Sequence, residues 1–342
     1  MAEASNQMNR MRIYQLIYAL AAKDGRQDAL FGHSSPQAQE AFAKGLCGTA
    51  FPELWFELPL LGDPWFDLHM LVSRNDVHDG VSFAGLGGTY ADALDWFASS
   101  TGTRMLALSF DTGRGVVDVP AIQLLMRGRS IDVARGFLSA AGRPDAAGPY
   151  GAFVHAMPRA WYACYVGLFP ARTTPANTKG ADSQGTDWTR VECIVGDELQ
   201  QAYAQDVDLL QRHLAQVGLP DFDDTLIPRV QELARFPFPL EFQFNVGPNG
   251  LAQPAFSASL RLFITDWLDP TTRDAVDQLW QRAQAWGLAD DRWRQLANTI
   301  VATRVTLADQ ATLLYCCPAF LKLRWRLGEA PDAKAYLVAG TQ

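Results

Sequence analysis

Three positively charged residues, Lys322, Arg324 and Arg326, occupy every second position of the segment LKLRWRL near the end of the sequence. Side chains of a β-strand alternate between its two faces, so this spacing puts the three cations on one face and leucine and tryptophan on the other. A turn-rich GEAPD follows, after which Lys334 and Tyr336 recur at the same alternate spacing. Four converging cations can bind an anion, whereas the same residues on an edge strand can simply face water.

Other strand-like segments carry residues that could contact an aromatic ring, hold an anion or move a proton. They lie in ELWFELPL, in PWFDLHMLVSR, in DWTRVECIVG and in the two arms of the hairpin around GPNG. Within each segment the candidate alternates with apolar residues, so it shares one face of its strand with other polar side chains. These candidates are Trp55, Glu57, His69, Arg190, Gln243 and Arg261.

The composition limits the class of protein. The chain has 342 residues, of which 48% are hydrophobic and 19% charged, as in ordinary globular proteins. A formal net charge of -8 disfavours a nucleic acid or an anionic membrane as partner. The five cysteines are scattered without metal-ligand spacing, which favours free thiols in a reducing cytoplasm. A basic cluster inside an acidic protein is therefore the more informative feature.

The order of predicted elements is helix, two strands, helix, two strands, until there are five strand pairs. We expect a helical extension over residues 1–34 and a single domain over residues 35–342, in which helices over 271–286 and 291–304 precede the last hairpin. Paired strands between helices indicate an α+β fold rather than a parallel α/β fold. Ten antiparallel strands surrounded by helices are expected to close into a β-barrel, because closure removes the exposed sheet edges.

The apolar strand faces decide which side of this barrel faces inward. Uninterrupted apolar faces must pack against the surrounding helices, which leaves the polar and aromatic faces to line the lumen. The outward faces are Leu54, Phe56 and Leu58; Val191, Cys193 and Val195; Leu240, Phe242 and Phe244; Leu260, Leu262 and Ile264; and Leu321, Leu323 and Trp325. A barrel lined in this way is expected to be a reaction or binding chamber.

Five hairpins separated by helices resemble the aromatic prenyltransferases of the ABBA type, whose αββα units build the ten-stranded PT barrel around a central active site. The closing strand AKAYL is similar to the Lys-x-Tyr pattern of the indole and tryptophan members. RVECIV stands where those enzymes have an Arg-x-Lys-x-Tyr strand, but Glu192 occupies the lysine position and no tyrosine follows. The glutamate of WFELP resembles the strand glutamate that such enzymes point at the ring N–H of the acceptor.

The resemblance implies transfer of a prenyl group, expected to be dimethylallyl, to an indole, tryptophan or an aromatic residue of a peptide by electrophilic aromatic substitution. Glu57 would orient the acceptor and take its proton, while Tyr336, Trp55, His69 and Gln243 would shield the allylic cation or contact the acceptor. Diphosphate would be bound by Arg190, Arg261, Lys322, Arg324, Arg326 and Lys334. No cofactor is implied beyond the prenyl diphosphate co-substrate. Because DDTLI and DDRWR lack the second part of a DDxxD motif, we expect no obligatory magnesium.

Two other interpretations stay open. The barrel could bind an anionic amphipathic ligand or a peptide in a biosynthetic pathway without catalysis, using the same cationic lumen. A five-bladed αβ propeller enzyme would need a catalytic cysteine with a histidine partner, and the sequence places no such pair. Neither Gly-x-Ser-x-Gly nor a Cys/His pairing stands out to support a hydrolase.

Overall fold

The computed structural model describes residues 53–74, 90–101, 103–110, 121–126, 130–169, 188–297, 301–307 and 310–341. The helix expected over residues 1–34 lies outside the described residues. The eleven strands of the described residues are β1 (Glu53–Pro59), β2 (Asp67–Val72), β3 (Thr103–Phe110), β4 (Ala121–Met126), β5 (Trp161–Leu168), β6 (Thr189–Val195), β7 (Leu240–Val246), β8 (Ala252–Arg261), β9 (Val301–Leu307), β10 (Gln310–Arg326) and β11 (Asp332–Thr341).

Helices separate most of the strand pairs, as the sequence predicts. Within the described ranges they are α1 (Ala91–Ser99), α2 (Ile131–Ala140), α3 (Ala147–Ala156), α4 (Asp197–Gln205), α5 (Val207–Gln216), α6 (Leu226–Ala234), α7 (Ile264–Leu268), α8 (Pro270–Ala285) and α9 (Arg292–Ala297), with a 3-10 turn at Pro144–Ala146. Ser130 caps α2 by accepting a hydrogen bond from the backbone N–H of Val133, and Asp206 caps α5 in the same way through Leu209.

Ten of the strands form a closed antiparallel barrel. Their order is β11-β1-β2-β3-β4-β5-β6-β7-β8-β10, and β10 pairs back with β11 to close it. Two of the hairpin turns use glycine with positive φ, Gly250 between β7 and β8 and Gly328 between β10 and β11, where a side chain would be strained. The predicted ten-stranded antiparallel barrel with helices around it is therefore confirmed.

The outer faces of the strands pack against the helices. Trp161 of β5 is fully buried and donates through Nε1 to the hydroxyl of Tyr203 on α4 at 2.9 Å, and the Tyr203 ring stacks on Phe242 of β7. Trp325 of β10, also fully buried, donates to Thr225 just before α6 at 3.1 Å. Large apolar side chains thus fill the layer between barrel and helices, and they leave the opposite strand faces to the lumen.

Two predicted boundaries are wrong. The helix expected over residues 291–304 ends at Ala297, and β9 begins at Val301 because the sequence VATRVTL is rich in β-branched residues that suit a strand. Strand β8 ends at Arg261, so Ile264 begins α7 instead of extending the apolar face of the strand.

Strand β10 changes partner along its 17 residues. Its first part, Gln310–Cys316, pairs with β9, whereas Phe320–Arg326 pairs with β8, and the register shifts between Pro318 and Phe320. Proline has no N–H to donate to a ladder, and a bulge is one of the places where a strand accommodates it. Strand β9 is thus an eleventh strand attached to β10 outside the closed ring.

Candidate active site

A cavity lies inside the barrel, and each of the ten barrel strands contributes at least one side chain to its wall. Its lining residues are Trp55, Glu57, His69, Leu71, Ala107, Gln123, Tyr165, Arg190, Glu192, Gln243, Ser259, Phe320, Lys322 and Tyr336. Seven of the predicted site residues line this cavity: Trp55, Glu57, His69, Arg190, Gln243, Lys322 and Tyr336. The other four, which are Arg261, Arg324, Arg326 and Lys334, do not belong to its wall.

Glu57 accepts hydrogen bonds from three neighbouring side chains. Lys334 donates to Oε1, the hydroxyl of Tyr336 donates to Oε2, and Nε2 of His69 lies 3.1 Å from Oε2. The strand register explains the cluster, because Glu57 lies opposite Tyr336 on β11 and diagonally across from His69 on β2. Both members of the Glu57–Lys334 ion pair are almost fully buried, with exposed fractions of 8% and 5%.

Neighbouring side chains determine the charge of Glu57. Burial by itself raises the pKa of Glu57, but the positive charge of Lys334, the hydrogen bond with His69 and the more distant charge of Lys322 outweigh it and hold the pKa well below its ordinary value. Burial also lowers the pKa of Lys334, although Glu57 acts in the opposite direction. Glu57 is therefore an anion at neutral pH.

A second set of hydrogen bonds crosses the lumen from β11 to β6. Nζ of Lys322 donates to Oε1 of Gln243 at 2.7 Å and approaches the hydroxyl of Tyr336 at 3.4 Å, and Nε2 of Gln243 donates to Oε2 of Glu192 at 2.9 Å. Burial lowers the pKa of Lys322 to about 8, with Arg190 adding to the effect and Glu57 and Glu192 opposing it. The cavity thus holds a cation whose charge depends on pH near neutrality.

Aromatic rings occupy the wall next to Glu57. The ring centroids of Trp55 and Phe320 are 5.3 Å apart, and those of Phe320 and Tyr336 are 5.8 Å apart. Lys322 lies over the Tyr336 ring at 5.6 Å, within the range of a cation–π contact. The aromatic rings on this side of the cavity can therefore form cation–π contacts with a positively charged organic group.

Arg190 reaches the cavity from β6. Its guanidinium lies 3.8 Å above the Phe169 ring and 5.2 Å from that of Trp188, and its Nε is 3.3 Å from Oδ1 of Asn245. Stacking of this kind fixes the plane of the guanidinium while its edge can still face a ligand. The neighbouring Glu192, two residues along the same strand, gives this wall one cation and one anion.

The four predicted cations outside the cavity wall are each paired with a carboxylate. Lys334 pairs with Glu57, and Nε of Arg261 lies 2.7 Å from the fully buried Glu241. Nε of Arg324 lies 3.0 Å from both oxygens of Asp332, and Arg326 contacts Glu329 at 3.3 Å. Sequence alternation places these side chains on the correct face but says nothing about the partners that neutralise them.

Glu241 is a further acidic group behind the cavity wall. Burial raises its pKa to about 8, Arg261 opposes the rise, and Glu192 on the adjacent strand adds to it. The guanidinium of Arg261, 2.7 Å away, thus stabilises the Glu241 carboxylate against the effect of its burial.

Five lining residues were not predicted to face the lumen: Leu71, Ala107, Gln123, Tyr165 and Phe320. Tyr165 follows an irregularity in register between Ala163 and Tyr165, which shifts the alternation of β5 and turns the tyrosine toward the lumen. Phe320 was missed because the lumen face was recognised by its polar residues, and Phe320 is apolar. Strict alternation with the outward-facing Leu321 would have placed it inward. Gln123 lies on a strand whose neighbours are almost all apolar, AIQLLM.

Within the described ranges, no group of three or more His, Cys, Asp or Glu side chains is arranged to hold a metal ion. None of the helices in the same ranges has both the length and the apolar character needed to span a membrane.

No protein-family model and no curated protein matches this sequence. Among solved structures, the chain is similar to 5-dimethylallyltryptophan synthase from Streptomyces coelicolor, with a TM-score of 0.53 and 12% identity over 98% of this chain and 96% of the other. A second structure of that protein, in complex with DMASPP and Trp, gives a TM-score of 0.51 and 13% identity over 98% and 94% of the two chains. The chain therefore has the fold of the ABBA-type aromatic prenyltransferases, as its order of helices and hairpins predicts.

Proposed function

We propose that this protein transfers a prenyl group, dimethylallyl in the simplest case, from a prenyl diphosphate to an aromatic acceptor inside the barrel. The observation that carries the proposal is the position of the ionised Glu57 in a cavity shared with the cationic Lys322 and a wall of aromatic rings. A similar fold has been solved with DMASPP and Trp bound, which supports substrates of these two classes.

Lys322 and Arg190 are proposed to contact the diphosphate directly, since both line the cavity. Lys334, Arg261, Arg324 and Arg326 would contribute less to diphosphate binding, because each has a carboxylate partner that offsets its charge. As the allylic C–O bond breaks, negative charge accumulates on the diphosphate oxygens, and fixed cations stabilise that charge more than the ground state.

The aromatic wall is proposed to protect the allylic cation. Trp55, Phe320 and Tyr336 can present π faces to it, and an apolar wall excludes the water that would otherwise capture the cation as an alcohol. His69 and Gln243 complete this wall as polar groups that hold Glu57 and Lys322 in place.

Glu57 is proposed to accept a hydrogen bond from the ring N–H of the aromatic substrate and so to fix which ring carbon faces the allylic cation. When the new C–C bond forms, the ring carbon still carries a hydrogen, and the cationic ring loses that proton to restore aromaticity. A carboxylate with a lowered pKa is a weak base, but the cationic ring is a far stronger acid, so Glu57 can take the proton. The lumen cations make a metal unnecessary in this proposal.

The test is incubation of the purified protein with dimethylallyl diphosphate and a panel of indole, tryptophan, tyrosine and an aromatic peptide, with and without EDTA. Mass spectrometry should detect a gain of one isoprene unit on at least one acceptor, unaffected by EDTA. Lys322→Ala should abolish the gain, whereas Arg326→Ala, outside the cavity wall, is the matched control. Binding of the diphosphate without transfer to any acceptor would refute the proposal.

The second candidate is a barrel that binds an anionic amphipathic ligand or peptide without catalysis. It is favoured by one observation, namely that four of the six predicted diphosphate cations already have carboxylate partners. Under this alternative, calorimetry would detect diphosphate binding that Lys322→Ala weakens, while no acceptor would be converted.

We further propose that residues 35–342 form one domain and that the protein acts in the cytoplasm. In support of a reducing compartment, the five cysteines are scattered along the sequence without a spacing typical of a disulfide framework or a metal site. Limited proteolysis would test the domain, since a stable fragment much shorter than residues 35–342 would contradict it.

A further inference from the structure

A series of three hydrogen bonds reaches Glu57 from the side of β1 that faces β2, whereas Lys334 reaches it from β11 on the other side. Nε2 of Gln123 on β4 donates to Oγ of Ser109 on β3 at 2.9 Å, Oγ of Ser109 is 2.6 Å from Nδ1 of His69 on β2, and Nε2 of His69 is 3.1 Å from Oε2 of Glu57 on β1. His69 and Ser109 are directly opposed in the β2–β3 register. Four successive strands, β1 to β4, therefore each contribute one side chain to this series of hydrogen bonds.

The direction of each bond can be worked out from donors and acceptors. An ionised carboxylate only accepts, so Nε2 of His69 must carry a proton to bond to Glu57. The amide nitrogen of Gln123 only donates, so it uses a lone pair of Ser109 and leaves the serine hydroxyl proton for another acceptor. The nearest acceptor for that proton is Nδ1 of His69, and a ring nitrogen that accepts this hydrogen bond carries no proton of its own.

We infer that Ser109 and Gln123 are positioning residues that hold His69 as the tautomer with its proton on Nε2, so that His69 donates permanently to Glu57. The effect on catalysis rests on the proposed function, but the tautomer itself does not. Because Lys334 and Tyr336 donate to the same carboxylate from β11, Glu57 is held from both sides of its strand.

Ser109 and Gln123 are both nearly buried, with 6% and 8% exposed. The approach of Gln123 depends on Gly167, which lies opposite it on β5, because a Cβ at this position would come within 2.8 Å of the Gln123 side chain. Neither Ser109 nor Gln123 contacts Glu57 itself, so any influence on the acceptor must pass through His69.

The direct test is NMR of the full-length protein labelled with ¹⁵N-histidine, in which a protonated and a bare ring nitrogen give well-separated signals. His69 is identified as the signal that disappears in His69→Asn. We expect Nε2 protonated and Nδ1 bare in the wild type. Protonation on Nδ1 alone, or two equivalent nitrogens as in an imidazolium, would overturn the inference even if no variant folded.

Variants separate a positioning role from a structural one. Ser109→Ala should convert the single tautomer of His69 into a mixture, and Ser109→Thr, which keeps the hydroxyl, should restore it. Ser259→Ala is the matched control, because Ser259 is a buried lumen serine on β8, a strand that does not pair with β2. An unchanged His69 signal in Ser109→Ala would overturn the inference.

In the transfer assay, Ser109→Ala should lower kcat/KM for the aromatic acceptor about tenfold while the KM for the prenyl diphosphate stays unchanged. An equal loss for both substrates would point to general disruption and count against a positioning role. If wild type transfers no prenyl group, the proposed function fails, whereas the NMR result still decides the tautomer.

Discussion

The ion pair between Glu57 and Lys334 should be among the most stability-sensitive contacts of the barrel. Glu57→Gln removes the negative charge but leaves the ammonium of Lys334 buried, with only 5% of the residue exposed. Removing one partner of a buried ion pair typically costs about 3–5 kcal/mol, because the remaining charge has no compensation.

The protonation equilibria set a ceiling on that cost. A lysine with an ordinary pKa of about 10.4 can lose its proton at pH 7 for roughly 4.6 kcal/mol, so Glu57→Gln cannot cost more than about 5 kcal/mol through this charge. The reverse variant, Lys334→Met, leaves Glu57 with Tyr336 and His69 as donors, and protonating an ordinary glutamate at pH 7 costs roughly 3.7 kcal/mol. We therefore expect about 3–5 kcal/mol for Glu57→Gln and about 2–4 kcal/mol for Lys334→Met.

The assay is a double-mutant cycle by urea unfolding. The double variant buries neither charge, so its free energy of unfolding should exceed the value expected from adding the two single losses by at least about 2 kcal/mol. Glu329→Gln, which breaks the half-exposed pair with Arg326, is the control and should cost less than about 1 kcal/mol. Losses at Glu57 and Lys334 that add to within about 0.5 kcal/mol would refute the coupling.

Three further predictions concern the anion site. Because burial lowers the pKa of Lys322 to about 8, its charge is present below that pH and lost above it, so calorimetry should find that diphosphate affinity falls as pH rises through about 8. Lys322→Arg should remove this pH dependence. A pH dependence that persists in Lys322→Arg would contradict the assignment of Lys322 to the anion site. Glu192→Gln removes an anion from the cavity wall and should tighten diphosphate binding several-fold by the same measurement, while weaker binding would count against the site. Arg190→Ala should weaken diphosphate binding at least tenfold. Arg324→Ala should weaken it much less, because Arg324 is already paired with Asp332. Equal effects of the two variants would show that the diphosphate does not bind at the cavity wall.

Alternation along the strands predicts most of the barrel, because each hairpin has one face that only the helices can cover. Phe56 and Leu58, for example, are buried against that layer while Glu57 between them reaches the lumen. The same rule fails at residues 301–307, where a helical interpretation of ANTIVATR competed with a strand and the pairing with β10 decided the outcome.

The site was predicted less completely than the fold because its chemistry depends on contacts between distant parts of the chain. A local pattern places Lys334 on the inner face, but only the β1–β11 register brings it to Glu57. Tyr165 reaches the cavity through a change of register that alternation cannot anticipate. The directions of the hydrogen bonds around His69 likewise need four strands to be in place.

The closure of the barrel by β11 has a consequence for how the protein folds. Glu57 is separated by 277 residues from Lys334 and by 279 from Tyr336, although these residues are in direct contact. Contacts between residues so far apart in sequence slow folding, because the intervening chain must be ordered before they form. Strand β1 is synthesised long before its partner β11, so we expect one edge of β1 to stay unpaired, and open to pairing with other strands, until β11 has been made. We expect the contacts of Glu57 with Lys334 and Tyr336 to form only when β11 closes the barrel.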